Sequence, residues 1–312
     1  MIEIKKLKYS YDKSFFRKKL LNYNIEIEDL FIKKGSKITI CGLNGSGKST
    51  FIKLLSGVLS ANEGNINVMG FNPVKDRKEY VKNISVIWGQ RSGLWQDLTP
   101  LENFEVLSKL YRVNKTEAKK IIDKSIAELN CESFVNRQVR KLSLGQRIKI
   151  EIIASLIHSP KILFYDEAFL GLDFKSKAKI IEYLNRYIEE NDVTLFLISH
   201  DIEDLVQMCD EMLFLEKGRV ILRDKIKNII SKELERINIK INFYGMFKFD
   251  NIKKYIGNEI FITKQAENFI ELSVITTFSR SNLIRLLAND NNLLNIEFSQ
   301  NSLENVLLQI VK

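Results

Sequence analysis

The chain has 312 residues, 45% of them hydrophobic and 28% charged, which is enough for a sizeable core and for two domains at about 150 residues each. No uninterrupted apolar run approaches the ~20 residues that cross a bilayer, and MIEIKKLKYS at the N-terminus lacks the apolar centre of a signal peptide, so the expectation is a cytoplasmic protein that does not itself span a membrane. The net charge of +9 comes from lysines spread along the whole chain, which reads as a solvated surface; no nucleic-acid partner is expected.

In chain order, IEIKKLKYSY and IEIEDLFIKKG alternate apolar and polar residues and predict two strands forming an antiparallel edge. Between them KSFFRKK, Lys13 to Lys19, is a basic cluster with two phenylalanines, expected to cap a hairpin, with a position near a membrane as the alternative. The β-branched run Ile38–Ile40 precedes CGLNGSGKST, and Phe51, Leu54 and Leu55 follow with helical spacing, so that stretch reads as strand, loop, helix. GNINVMG and ISVIWGQ predict strands, the second ending where Gln90 heads a loop. Residues 93–159 are mainly helical and read as an insertion. KILFYDE and VTLFLISH return to strand around the helix KSKAKIIEYLNRYIEE, an alternation that means a parallel sheet with helices on its faces. EMLFLEKGRVILRD predicts a hairpin turning at Lys217 and Gly218. A boundary is placed at residue 232. Beyond it the order of strands and helices is βαββαβ with a trailing helix, which predicts a small α+β sandwich of ferredoxin-like type for 233–312. The cysteines Cys41, Cys131 and Cys209 show no metal spacing and read as small buried residues.

Two clusters carry chemistry. In the GxxxxGKS stretch from Gly42 to Ser49, the glycines let successive amides turn inward on a polyphosphate, and the helix that follows adds the positive end of its dipole. Lys48 pairs with the outer phosphates and Ser49 supplies a hydroxyl to a bridging Mg²⁺. In ILFYDE an apolar strand ends on Asp166 and Glu167, a costly place for carboxylates unless a cation stands opposite. Asp166 is the natural outer ligand of that Mg²⁺, and Glu167 is placed to orient or deprotonate an attacking water. Between them, KLSLGQR has Ser143 as the cap of a helix whose N-terminus admits an anion, although an ordinary cap has the same appearance.

The order of these segments resembles the ATP-binding subunit of an ABC transporter over residues 1 to about 225. GLNGSGKST, from Gly42 through Leu43, Asn44, Gly45, Ser46, Gly47, Lys48 and Ser49 to Thr50, resembles the Walker A loop. Gln90 resembles the Q-loop residue, LSLGQ (Leu142, Ser143, Leu144, Gly145, Gln146) the family signature, YDE the Walker B end, GLD with Asp173 the D-loop, and His200 the switch histidine. WGQRSGLWQDL and LSLGQRIKIEIIASLIHSPKILFYDE further resemble the exporter ATPases related to sodium and drug efflux subunits. The chain is therefore identified as an α/β P-loop NTPase of ABC ATPase type, a mixed sheet with an antiparallel edge and a helical insertion (1–232), followed by the small α+β domain.

The resemblance implies ATP and Mg²⁺ as ligands, with Ser49, Gln90 and Asp166 around the metal and Glu167, Gln90 and His200 around the reacting phosphate. It implies a head-to-tail dimer, with the same chain or a related ATPase, in which the signature residues of one copy meet nucleotide held by the other and Asp173 lines the seam. Tyr11 matches the aromatic that stacks on adenine, with Tyr9 as the competing candidate. A separate transmembrane permease would hold the protein on the inner face of the cell membrane, and transport would be export. A soluble ABC ATPase acting on nucleic acid or ribosomes is the alternative, and a small-molecule sensing role for the C-terminal domain is compatible with either. Leu144 stands where the family has a first glycine, and Ala168 where a proline commonly follows the glutamate; neither removes a reactive group.

Overall fold

The computed structural model describes residues 1–11, 23–89, 91–199, 201–229, 236–243, 260–266, 268–275 and 293–300. The Lys13–Lys19 cluster, Gln90, His200 and the three helices expected beyond residue 243 lie outside the described residues. The chain divides into two compact units, Met1–Ile226 and Lys227–Lys312.

The first unit runs β1 (Ile2–Tyr9), β2 (Ile25–Ile32), β3 (Lys37–Cys41), α1 (Lys48–Leu55), β4 (Glu63–Val68), α2 (Arg77–Tyr80) and β5 (Ile84–Trp88). The insertion follows as α3 (Pro100–Leu110), α4 (Lys115–Leu129) and α5 (Leu144–Leu156). The chain then continues through β6 (Ile162–Asp166), α6 (Phe174–Asn191), β7 (Thr194–Ile198), α7 (Ile202–Met208), β8 (Glu211–Glu216) and β9 (Arg219–Lys225). Local chemistry sets the helix starts in the insertion. Thr99 and Glu102 form a capping box around Pro100 at the head of α3, and Asn114 caps α4, each satisfying amides that a helix N-terminus leaves unpaired.

Six strands form one sheet in the order β5-β6-β7-β3-β8-β9, with only the β8–β9 pair antiparallel. Ile162–Tyr165 of β6 and Leu195–Ile198 of β7 are unbroken apolar runs because both faces of this sheet are covered; Leu163, Phe164, Tyr165, Leu195, Phe196 and Leu197 are all fully buried. Parallel pairing also puts the carboxyl ends of β3, β5, β6 and β7 along one edge, where an open α/β sheet binds its ligands. The β8–β9 hairpin turns at Lys217 (φ 46°) and Gly218 (φ 79°), the left-handed pair that suits a two-residue hairpin.

The predicted N-terminal pair forms, but away from the edge of this sheet. β1 lies between β2 and β4 in an antiparallel sheet of its own. Ile4, Leu7, Ile25 and Ile27 share one core with Ile38 and Ile40 of β3 and Phe51 and Leu54 of α1, so the small sheet clamps the helix that starts at the phosphate loop. The antiparallel edge of the six-stranded sheet is β9.

The second unit holds β10 (Arg236–Phe243), β11 (Ile260–Ala266), β12 (Phe269–Ile275) and β13 (Leu293–Gln300) in the order β11-β12-β10-β13, all antiparallel. The first strand sits beside the third and fourth with the second at an edge, which is the strand order that a βαββαβ sandwich gives. Ile239, Ile241, Ile270 and Leu272 bury one face of it.

Candidate nucleotide site

Residues 42–47 leave β3 and turn into α1 without a side-chain cap: Gly47 occupies the cap position, and no side chain accepts from the first turn. The amides of that turn therefore face outward with the helix dipole behind them. A Cβ on Gly42 would lie 2.2 Å from Leu215 O and 2.6 Å from Ser46 Oγ, so only glycine lets the loop pass this close to β8. Lys48 Nζ donates to Gly42 O (2.7 Å) and Leu43 O (3.2 Å), wrapping the loop around its own cation. Burial lowers the Lys48 pKa, and the nearby Cys41, Glu167 and Asp166 oppose that shift. Ser46 Oγ is buried and has no hydrogen-bond partner among the described residues. Uncapped amides, an ammonium and a spare hydroxyl around one turn are the donor set of an anion cradle.

Asp166 and Glu167 end β6 opposite this loop. Burial raises the Asp166 pKa, and a hydrogen bond from the Ser49 hydroxyl counters it. Glu167 has φ 56°, a left-handed conformation that costs a side chain-bearing residue about 1–3 kcal/mol and that concentrates at functional sites. The surroundings hold it there: Glu167 N donates to Ile198 O (2.9 Å) and Gly89 N donates to Asp166 O (2.7 Å). A Cβ on Gly89 would lie 2.3 Å from Glu167 O, so the β5 loop crosses directly under the turn after β6. The cleft between these loops, about 360 Å³, is lined among others by Ser49, Lys53, Trp88, Arg91, Asp166 and Glu167. Arg91 N donates to Trp88 O at 3.0 Å.

The two tyrosines offered for adenine part company. Tyr9 is buried, at 7% exposure, whereas Tyr11 is 52% exposed. Tyr9 supports Tyr11 edge-to-face at 5.0 Å, and the Tyr11 hydroxyl meets Thr50 Oγ1 at 3.1 Å on α1. The free ring face beside the phosphate loop therefore belongs to Tyr11.

Ser143 caps α5 in a capping box: its Oγ accepts from Gln146 N (3.3 Å) and its own amide donates to Gln146 Oε1 (3.0 Å). Asp173 caps α6, accepting from Ser176 N at 2.9 Å, and this bond holds its carboxyl below the usual range. Both turns lie outside the cleft that holds Ser49 and Asp166.

Sequence reasoning missed a polar cluster of Lys177, Ser199, Asp201 and Asp204. Asp204, 2% exposed, accepts from Ser199 Oγ at 2.8 Å and pairs with Lys177 at 2.9 Å. Lys177 also pairs with Asp201, whose amide donates to Ser199 Oγ at 3.0 Å. Both carboxylates raise the Lys177 pKa against the effect of burial. The polar spacing Ser199, Asp201, Asp204 directly after an apolar strand was the available signal. Lys53, one helical turn beyond Ser49, was a second; its ammonium lies 5.9 Å from the Trp88 ring centre.

The family model described as ABC transporter matches residues 27–170. The chain is 33% identical over 204 residues to the ABC transporter ATP-binding protein NatA of Bacillus subtilis, covering 65% of this chain and 82% of that one. It is 30% identical over 234 residues to the energy-coupling factor transporter ATP-binding protein EcfA of Pediococcus pentosaceus, covering 75% and 81%. Among solved structures, the dimeric post-hydrolysis state of the ATP-binding cassette MJ0796 bound to ADP and Pi superposes with a TM-score of 0.63 at 27% identity, over 72% of this chain and 99% of that one. On this fold and these likenesses, the chain belongs to the ABC transporter family as one of its ATP-binding ATPase chains.

Proposed function

We propose that this ATPase powers export through a separate membrane-spanning permease, and that it works as a dimer with itself or a related chain. ATP is held between the Gly42–Thr50 loop of one subunit and Leu142, Ser143, Gly145 and Gln146 of the other. The observation that carries the reading is the convergence on one cleft of Ser49, from the first turn of α1, with Asp166 and Glu167, from the end of β6, with Lys48 close enough to both carboxylates to feel their charge. The export direction rests on the likeness of WGQRSGLWQDL and LSLGQ to exporter ATPases. No helix among the described residues is long and apolar enough to cross a membrane, in keeping with a permease on another chain and a place on the inner face of the membrane.

The phosphate loop binds the nucleotide through its amides, with Lys48 moving from the loop carbonyls to the outer phosphates. Tyr11 stacks on the base. Ser49 and Asp166, with Gln90, fit a hard cation through oxygen donors, and Mg²⁺ bound there supplies charge neutralisation at the phosphate oxygens. Glu167 accepts the proton of the attacking water, and its fixed left-handed turn aims the carboxylate into the cleft. His200 is assigned to the outer phosphate, on a loop whose flanks the Lys177 network holds.

Glu167→Gln tests this reading. It keeps size and polarity but removes the proton acceptor, so ATP should still bind and drive dimerisation while turnover nearly disappears. Hydrolysis at the parental rate would remove Glu167 from the mechanism.

A further inference from the structure

Two leucines and two glycines interlock between the head of α5 and the loop before α6. A Cβ on Gly171 would lie 2.6 Å from Leu144 Cδ2, and a Cβ on Gly145 would lie 3.5 Å from Leu172 Cδ2. Each segment thus offers one leucine and one glycine, and each leucine covers the glycine of the other. Gly171 has φ 80°, so its backbone and the Leu144 methyl both exclude a side chain there. The loop is short and tightly turned, with Leu170 N donating to Glu167 O and Leu172 N to Phe169 O, both at 3.3 Å. Displacing Gly171 therefore pulls on the turn that sets Glu167.

We propose that Leu144 is a positioning residue whose seat on Gly171 clasps the signature turn to the Gly171–Asp173 loop, so that both approach a second subunit as one unit. The inference rests on the nucleotide-sandwich reading above and deepens it. Glycine at position 144 would leave Leu172 over Gly145 but nothing over Gly171. Leucine fills the space above Gly171 and still leaves 43% of its surface open, while Leu170 and Phe174, exposed side chains of the other segment, line the groove that includes Gly171 and Leu172. An apolar clasp whose outer surface faces the seam closes further when a second copy covers it.

Leu144→Ala keeps a strong helix former at the start of α5 and removes the reach to Gly171. Leu172→Ala opens the clasp from the other side, and Leu144→Met restores an unbranched apolar reach. Two measurements on the full-length protein decide the matter: amide hydrogen exchange across 169–173 without nucleotide, and ATP-driven dimerisation in the Glu167→Gln background. Leu144→Ala should raise exchange in the loop and weaken dimerisation by roughly tenfold, within the range of interaction energies for residues in contact. Nucleotide affinity of the monomer should be unchanged, and Leu144→Met should resemble the parent. Adding Leu172→Ala to Leu144→Ala should change little, because the clasp is already open. Parental exchange in Leu144→Ala, additive alanine effects, or a Leu144→Met protein as weak as Leu144→Ala would overturn the proposal. A parent that fails to dimerise with ATP would overturn the sandwich reading instead, and the exchange measurement would still decide the clasp.

Discussion

Ser49, in the first turn of α1, and Asp166, at the end of β6, line the same cleft. Burial raises the Asp166 pKa, and the Ser49 hydroxyl offsets part of that rise. A group that binds its proton more tightly when folded stabilises the fold as pH drops, and its ionisation weakens the fold as pH rises past the unfolded value. Asp166→Asn should therefore raise the Tm of the nucleotide-free protein at neutral pH. The gain should shrink as pH falls into the range where Asp166 itself is protonated. Thermal scans of both proteins from neutral to acid pH check this, and an Asp166→Asn protein that melts below the parent at neutral pH would contradict it. The same change should abolish turnover, a trade of stability against function common at active sites.

Tyr9 and Tyr11 should separate cleanly. Loss of a stacking ring costs about 1–3 kcal/mol, so Tyr11→Ala should weaken ATP binding by roughly tenfold to a hundredfold with little change in Tm, because Tyr11 is exposed. Tyr9→Ala empties a core position and should lower stability by about 3–5 kcal/mol. Binding curves and melting curves of the two proteins decide it; the opposite pattern would assign the base to Tyr9.

The parallel sheet was legible because Ile162–Tyr165 of β6 and Leu195–Ile198 of β7 are continuous apolar runs, the pattern of a sheet covered on both faces. The hairpin at Lys217–Gly218 was legible because its turn needs left-handed residues. Which sheet receives β1 and β2 was not legible, since their alternation suits any sheet with one buried face; the pairing of β1 with β4 decides it. At the site, the spacing marked the loop residues, but the contacts between loops stayed hidden. Leu144 over Gly171 and Lys177 beside Asp204 join segments well separated in sequence, and neither residue type announces its partner.

Lys177 should behave as the partner of a buried charge, Asp204. Lys177→Met leaves Asp204 buried with only Ser199 to satisfy it, and breaking such a pair from one side costs about 3–5 kcal/mol. The variant should melt lower and lose turnover, because Ser199, Asp201 and Asp204 lose the cation that ties them together. Asp204→Asn added to Lys177→Met removes the stranded charge and should recover part of the Tm. A double variant no more stable than Lys177→Met alone would show that the ion pair is not what holds this cluster.

The last prediction turns on the backbone of Glu167. Its φ of 56° is one that glycine adopts without penalty, and the hydrogen bonds on either side, from Glu167 N to Ile198 O and from Gly89 N to Asp166 O, do not involve its side chain. Glu167→Gly should therefore relieve the strain, offset in part by the extra unfolded-state entropy of glycine, while removing the carboxylate outright. The expected protein is at least as stable as Glu167→Ala, by about 1 kcal/mol, and equally inactive, whereas at an unstrained position the glycine variant would be the weaker of the two. Chemical denaturation of the two variants side by side measures the difference. If Glu167→Gly proves the less stable, the left-handed turn is not a strained feature of this site, and the aim of the carboxylate must come from its side-chain contacts alone.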